Sequence, residues 1–377
     1  MRIVQVSPFF YPHLGGVESH VRTLAREFAR QGHQVTVITS RFERSLPTEE
    51  LFEGYRIFRT RSLGPVLNTP IDYGTRAAVR RQEGDVFHLH YPPPLTSFFA
   101  TRGVVGRKVP VCLTYHCDLD LPGIAGRIAA RAYQRVFLPP TLRRVDRIIV
   151  HTRSYGSTSA SLRRRELEVI PSVVDLDRFR PGLDPGRLRA SLNLEGKRVV
   201  VFTGRLVPHK GVDVLLDAVA ELPKDVVLLL IGAGPRLSGL RARASRLEIE
   251  DRVRFCPNVS DVDLPLYLAL GNVFVFPSEN RLEGFGLAVA EAMAAGLPVV
   301  TADMPGVREV IEPGVEGLLA EPLLGDDVAE KLRRLLDDPA LARRMGAAGR
   351  IRAEQRYGLA TVVRQLLKLY ADLIAAG

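Results

Sequence analysis

The chain has 377 residues, 46% hydrophobic and 25% charged, with 52 Lys and Arg against 42 Asp and Glu. That length is comfortable for two α/β domains with separate cores, and no apolar run approaches the roughly 20 residues needed to cross a bilayer. Three cysteines (Cys112, Cys117, Cys256) without CxxC spacing argue against a disulfide framework or a zinc site, and fit a reducing cytoplasm.

The start, MRIVQVSP, reads as a strand and lacks the long apolar segment of a secretory signal. The first strand is Ile3–Val6, followed by the loop SPFFYPHLGG and a helix from about Val17 to Arg30. Further strands are predicted at Gln34–Thr39, Asp85–His90, Val109–Thr114 and Arg147–His151. Strands alternating with helical patterns predict a parallel, doubly wound sheet. Residues 171–196, rich in Pro, Gly and charge, read as a connection. The alternation then restarts, with strands near 198–203, 226–231, 252–255, 273–276 and 298–300, and helices near 211–221, 236–247, 285–295 and 326–336. A final stretch, 359–375, carries Val362, Val363, Leu366, Leu367, Leu369 and Leu373 at helical spacing. The expected division is an N-terminal domain over 1–172, a connection over 173–196, a C-terminal domain over 197–357 and a last helix over 358–377. The simplest architecture is α/β, two Rossmann-like domains facing each other across a cleft, with ligands beyond the C-terminal strand ends.

The net charge of +10 lies wholly in the first half: 27 Lys and Arg against 17 Asp and Glu up to Asp184, then 25 of each. Arg127, Arg131 and Arg135 recur every fourth residue, with Ile128, Ala132 and Val136 beside them. Such a helix suits anionic lipid headgroups, and equally a solvated surface. No recognition-helix motif or aromatic-interleaved basic strand points to nucleic acid.

The richest segment is SENRLEGFGLAVAE, 278–291, which places Glu283 and Glu291 around a Gly-Phe-Gly turn between a strand and a helix. Unpaired N–H groups at a helix start suit a phosphate or sugar oxygen. Glu283 is placed to accept from sugar hydroxyls and Glu291 from a ribose diol, although a cap and a solvated helix acid would also account for them. In GRLVPHKG, 204–211, Arg205 and Lys210 follow a strand and can converge on a diphosphate. Gly232 and Gly234 repeat the strand–turn–helix arrangement one unit later, where a tight turn is explanation enough. Gly15-Gly16 lies between the first strand and its helix, behind the apolar rim of Phe9, Phe10, Tyr11 and Leu14. His116, beside Asp118 and Asp120, ends a strand where it could donate to a sugar or leaving group, or be structural. His88 and His90 share one strand face without a third ligand at metal spacing, and no metal site is predicted.

In order and spacing, FFYPHLGGVESH (9–20), RQGHQVTVIT, VIPSVVDLDRFRP (169–181), GRLVPHKG, LYLALGNVFVFPS and EGFGLAVAEAMAAGLPVV (283–300) resemble the retaining family 4 glycosyltransferases of GT-B fold. The resemblance implies a closing helix that crosses back to the N-terminal domain. It also implies a nucleotide-sugar donor held by the C-terminal domain and an acceptor held by the N-terminal one. Carried over by position, Arg205 and Lys210 would neutralise the departing diphosphate, and Gly16 would add a backbone N–H to a phosphate. Glu283 would bind the transferred sugar, the backbone of Phe285, Gly286 and Leu287 would touch sugar and phosphate, and Glu291 would take the ribose. His116 would touch the sugar near the reacting centre, so the catalytic set is His116, Arg205, Lys210 and Glu283. Gly234 and Asn258 complete the donor side, and Tyr11, His13 and Arg131 the acceptor side. No metal or other cofactor is implied, because Arg and Lys do that work.

Three departures from the family pattern stand out: Ser172-Val173-Val174-Asp175 for Asn-Gly-Val-Asp, Cys256-Pro257-Asn258 where a Gly is frequent, and Gly271-Asn272 for Ala-Asp. Pro257 has no N–H to offer a base. The start of the chain is also similar to the enzymes that glycosylate phosphatidylinositol, which favours a lipid-linked acceptor at an anionic membrane surface, though a glycan would serve. The expectation is a cytoplasmic retaining hexosyltransferase using a UDP- or GDP-sugar, peripheral on the inner face of the membrane in the extended reading. A sugar-nucleotide epimerase and a non-catalytic nucleotide-sugar-binding protein are the alternatives.

Overall fold

The computed structural model describes residues 1–13, 15–62, 65–66, 69–70, 72–119, 121, 123–163 and 165–376. Leu14 and Asp120, named above, lie outside them. The chain forms two compact units, Met1–Val173 with Leu359–Gly377, and Val174–Gly358.

The strands of the first unit are β1 (Arg2–Val6), β2 (Gln34–Arg41), β3 (Glu49–Phe52), β4 (Tyr55–Arg61), the short pair β5 (Pro65–Val66) and β6 (Thr69–Pro70), β7 (Val86–Tyr91), β8 (Val111–Tyr115), β9 (Arg147–Val150) and β10 (Leu167–Val169). Eight of them form one sheet in the order β10-β9-β8-β7-β1-β2-β4-β3. All neighbours are parallel except β3, which runs antiparallel to β4. The central strands are buried along their whole length, as expected where helices cover both faces. Three strands absent from the sequence reading extend this sheet, β3 and β4 at one edge and β10 at the other. The alternation in YRIFRTR is interrupted by Arg59, which reads as polar yet is buried, pairing with Glu50 at 2.5 Å and donating to the Tyr11 carbonyl at 3.0 Å. The closing helix, Leu359–Ala376, belongs to this unit and buries Val362, Val363, Leu366 and Tyr370 in one cluster with Phe28, Val35 and Ile57.

The second unit holds β11 (Arg198–Thr203), β12 (Val226–Ile231), β13 (Val253–Cys256), β14 (Val273–Phe276), β15 (Val299–Ala302) and β16 (Gly317–Ala320), all parallel, in the order β13-β12-β11-β14-β15-β16. The short β16 and the helix Pro339–Arg356 were not foreseen. That helix is capped by Asp338, whose carboxylate accepts from the N–H groups of Ala340 and Leu341 at 3.1 and 2.9 Å.

The segment expected as an interdomain connection, 173–196, divides between the two units at Val173. Val173 packs in the first core, while Val174, Phe179 and Leu194 anchor the rest in the second, around a helix at Gly186–Ser191. Polar composition hid three well-spaced apolar anchors. Strand order reverses between β7 and β1 in the first sheet and between β11 and β14 in the second. At such points the loops leaving the carboxyl ends diverge and open a crevice for ligands.

Candidate functional site

In the second unit the loops after β11 and β14 flank the switch point. The first, 204–211, is held in place by the turn after β12. Leu206 N–H donates to Ala233 O at 2.9 Å, and Gly204 N–H to Ile231 O at 3.0 Å. Gly232 has φ +129°, and a Cβ there would run into the Gly204 carbonyl oxygen; a Cβ at Gly234 would run into that of Leu206. Both glycines therefore set loop against loop. The loop after β14 is tied to the first by Glu279 N–H donating to His209 O at 2.9 Å.

These contacts bring Lys210 and Glu283 together as a close ion pair, with His209 Nε2 at 3.6 Å from the same carboxylate oxygen. The Lys210 ammonium also sits 4.6 Å from the centre of the Phe276 ring. Burial pushes the Glu283 carboxyl upward, but Lys210 and His209 outweigh it and hold it at about 2. Glu283 does not cap the following helix, Leu287–Ala294. Gly286 occupies the N-cap at φ 82° with no side-chain cap, leaving the first-turn N–H groups to other partners. Arg205 is exposed, and its guanidinium makes no hydrogen bond or ion pair among the described residues.

Glu291 lies in the second turn of that helix. Burial pushes its carboxyl up to about 8, with Arg178 opposing and Asp261 adding to the shift. Arg178 and Asp261 are themselves an ion pair at 3.8 Å. At neutral pH Glu291 is thus largely a carboxylic acid, able to donate as well as accept.

In the first unit, five of the eight histidines form one buried cluster at the carboxyl end of the sheet, next to its switch point. His90 Nδ1 lies 3.0 Å from His116 Nε2, and His116 Nδ1 lies 3.0 Å from His151 Nε2. His88 lies tilted to His90 with ring centres 4.4 Å apart, and His20 packs edge-on to His116 at 5.3 Å. Burial drives all five downward, His88 to about 3 and His151 to about 4, so the cluster is neutral. Among the described residues no group of three or more His, Cys, Asp or Glu is arranged to hold a metal ion.

Two family models match, one for each half: Glycosyltransferase Family 4 over residues 14–178 and Glycosyl transferases group 1 over residues 186–352. The phosphatidyl-myo-inositol mannosyltransferase of Mycobacterium leprae is 31% identical over 391 residues, covering 100% of this chain and 98% of that protein. The chain belongs to glycosyltransferase family 4. A GDP-mannose-dependent alpha-(1-6)-phosphatidylinositol monomannoside mannosyltransferase of Mycobacterium tuberculosis is 29% identical over 363 residues, 93% of this chain and 92% of the relative. The glycosyltransferase superposes on sucrose-phosphate synthase from Thermosynechococcus elongatus with a TM-score of 0.86 at 26% identity, all of both chains being covered. Its fold is GT-B.

The remaining residues singled out from the glycosyltransferase's sequence fall as follows. Phe285 is a core side chain, edge-on to Tyr357 with ring centres 5.3 Å apart. Leu287 opens the helix and Asn258 is exposed after β13. Gly16 opens the helix Gly16–Arg30, and a Cβ there would meet nothing within 4 Å, so packing does not demand this glycine. Tyr11 stacks on Phe52 at 4.9 Å beneath Arg22, and His13 stacks on Phe9 while facing Glu18 at 3.2 Å. Arg131 is exposed on the helix Gly123–Val136. His116 is not a lone histidine: both ring nitrogens face other imidazoles. Sequence reasoning missed His20 and His209, which no local pattern marks, and His151, for which the end of a predicted strand is the one available signal.

Proposed function

We propose that this glycosyltransferase moves a hexose, with retention, from a GDP- or UDP-sugar to a hydroxyl of a lipid-linked acceptor. The observation that carries the reading is the Lys210–Glu283 ion pair between the two loops at the switch point of the second sheet, with the exposed Arg205 on the same loop as Lys210. Arg205 and Lys210 take the diphosphate, and their charge grows in value as the leaving group becomes more anionic. Glu283, kept ionised by its neighbours, accepts from the hydroxyls of the sugar. Backbone N–H groups at Gly286 and Leu287 complete the cradle. Glu291 and the neighbourhood of Asn258 hold the nucleoside, and Gly234 shapes the turn beside Arg205. Gly16, with open space around it, offers its N–H to a phosphate oxygen.

In the transfer, the bond from C1 to the β-phosphate oxygen breaks with its electron pair going to the phosphate. The acceptor oxygen bonds to C1 on the same face, and its proton passes to the departing phosphate. No protein nucleophile takes part, and the two cations stand where a metal would otherwise be needed. Tyr11, His13 and Arg131 lie on the acceptor side. The helix Gly123–Val136 exposes Ile124, Ile128 and Val136 beside Arg127, Arg131 and Arg135, a surface suited to anionic lipid. The named relatives that mannosylate phosphatidylinositol favour a GDP-mannose donor and an inositol-lipid acceptor. No described helix is long and apolar enough to cross a membrane, so the attachment proposed is peripheral.

The test is transfer from GDP-mannose, UDP-glucose and their relatives to phosphatidylinositol in vesicles, in EDTA, with the product's anomeric configuration read by NMR. Wild type should form the retained glycoside, and Lys210→Ala and Glu283→Ala should lose turnover while remaining folded. An inverted product, or near-normal turnover in either variant, would overturn the assignment.

A further inference from the structure

The buried histidines are joined by a row of hydrogen bonds whose direction can be worked out from its far end. The Ile170 carbonyl can only accept, so His151 Nδ1, 3.0 Å away, carries its proton. A neutral His151 then has a lone pair on Nε2, and His116 must donate to it from Nδ1. By the same step His116 Nε2 accepts, and His90 Nδ1 donates. His90 Nε2 is left with a lone pair, yet it faces Gln5 Oε1 at 2.6 Å, while the Gln5 amide nitrogen is buried without a hydrogen-bond partner. Exchanging the oxygen and nitrogen of this amide, which are alike in shape, removes both faults at once. The Gln5 nitrogen donates to His90, and its oxygen is turned toward the Tyr370 hydroxyl, which the amide also faces. Tyr370 then donates to Gln5 and accepts from His88 Nδ1 at 2.6 Å, and His88 Nε2 accepts from the Thr114 hydroxyl at 2.7 Å.

Every link now has one donor and one acceptor, running one way from Thr114 to Ile170. We propose that Gln5, His88, His90, His151 and Tyr370 are positioning residues, which through this one-way row hold His116 in its Nδ1–H tautomer and in one ring orientation. The claim of a rate effect rests on the function proposed above. Tyr370 lies in the closing helix, 282 positions from His88, so that helix supports His116 as well as packing on the sheet. His20 braces the row from the side, its Nδ1 held 3.0 Å from the Ser172 hydroxyl. With both nitrogens inside the row, His116 presents its C–H edge and shape and takes no proton from the acceptor. That task stays with the departing phosphate.

The test is long-range proton–nitrogen NMR of the full chain labelled with nitrogen-15 histidine, at pH 7.5. His88, His90, His116 and His151 should all be the Nδ1–H form, which a free histidine in water favours less. Tyr370→Phe frees the Gln5 amide to turn, so His90 and His116 should become tautomer mixtures and kcat should fall about tenfold at unchanged donor KM. Gln5→Glu offers only acceptors to His90 and should move its proton to Nε2, with a similar loss in kcat. An Nε2–H or doubly protonated His90, His116 or His151 in wild type would overturn the row. So would a Tyr370→Phe variant that melts earlier but keeps both tautomers and kcat, since that is what simple packing would give. The tautomers are read whether or not sugar is transferred. A failure of the proposed function therefore shows separately, as no turnover by wild type with the row intact.

Discussion

Five histidines buried as neutral rings make the first unit sensitive to acid. Each has its folded value pushed below the ordinary 6.5, mainly by burial. Such a group stabilises the fold fully above its unfolded value, and the stabilisation is lost as pH falls below that value, because only the unfolded chain can take the proton. At pH 5.5 each histidine costs about 1.4 kcal/mol relative to pH 7.5, and five cost about 7 kcal/mol. This is comparable with the whole stability of a typical domain, about 5–15 kcal/mol. Asp72, whose carboxyl burial pushes upward, works the other way by at most one proton. The assay is urea unfolding followed by tyrosine fluorescence at pH 7.5, 6.5 and 5.5. The chain has no tryptophan, and eight of its ten tyrosines, all but Tyr267 and Tyr357, lie in the first unit. The slope of stability against pH near 5.5 should correspond to about four protons taken up on unfolding, and His151→Gln should lower it by about one. A slope of fewer than about two protons would refute the reasoning.

Three further outcomes follow from the second unit. Glu283→Gln should destabilise it by about 3 kcal/mol at pH 7.5, because the carboxyl's value of about 2 lies well below the ordinary 4.5 and its stabilisation is complete above that pH; urea unfolding at pH 7.5 measures this, and equal stability would contradict it. Glu291 is shifted upward, so the fold is penalised as pH rises from 4.5 through about 8. Glu291→Gln, which mimics the acid form, should raise the melting temperature by a few degrees at pH 8.5, about 1–2 kcal/mol for a partly exposed group, and leave it unchanged at pH 5. Gly232→Ala should cost about 3 kcal/mol or more, from strain at φ +129° and overlap with the Gly204 carbonyl, and should weaken nucleotide-sugar binding by displacing Arg205; calorimetric titration against wild type decides it.

Much of the fold was legible in the sequence because parallel strands covered on both faces must be continuous apolar runs, as VVVFT and VVLLLI are. β4 was missed because Arg59 satisfies its charge through Glu50 and two carbonyls contributed by other segments, which no local pattern records. The segment 173–196 was read as a connection because its composition is polar, while its role is set by Val174, Phe179 and Leu194 reaching one core. Of the proposed site, Arg205, Lys210 and Glu283 could be named from the loops that follow strands, and Glu291 from the helix after the Gly-Phe-Gly turn. That Lys210 and Glu283 neutralise each other, and that Glu283 and Glu291 are pushed in opposite directions, depends on neighbours distant in the chain.

The sequence by itself determined the alternation of strands and helices, the two switch-point loops and the family, since these rest on periodicity and on residues close together in the chain. Only the tertiary structure decided the electrostatics and the histidine row. Gln5, His88, His90, His116, His151 and Tyr370 come from four strands or strand ends and the last helix. What makes them one network is hydrogen bonding across adjacent parallel strands, where register, not sequence distance, sets which side chains meet.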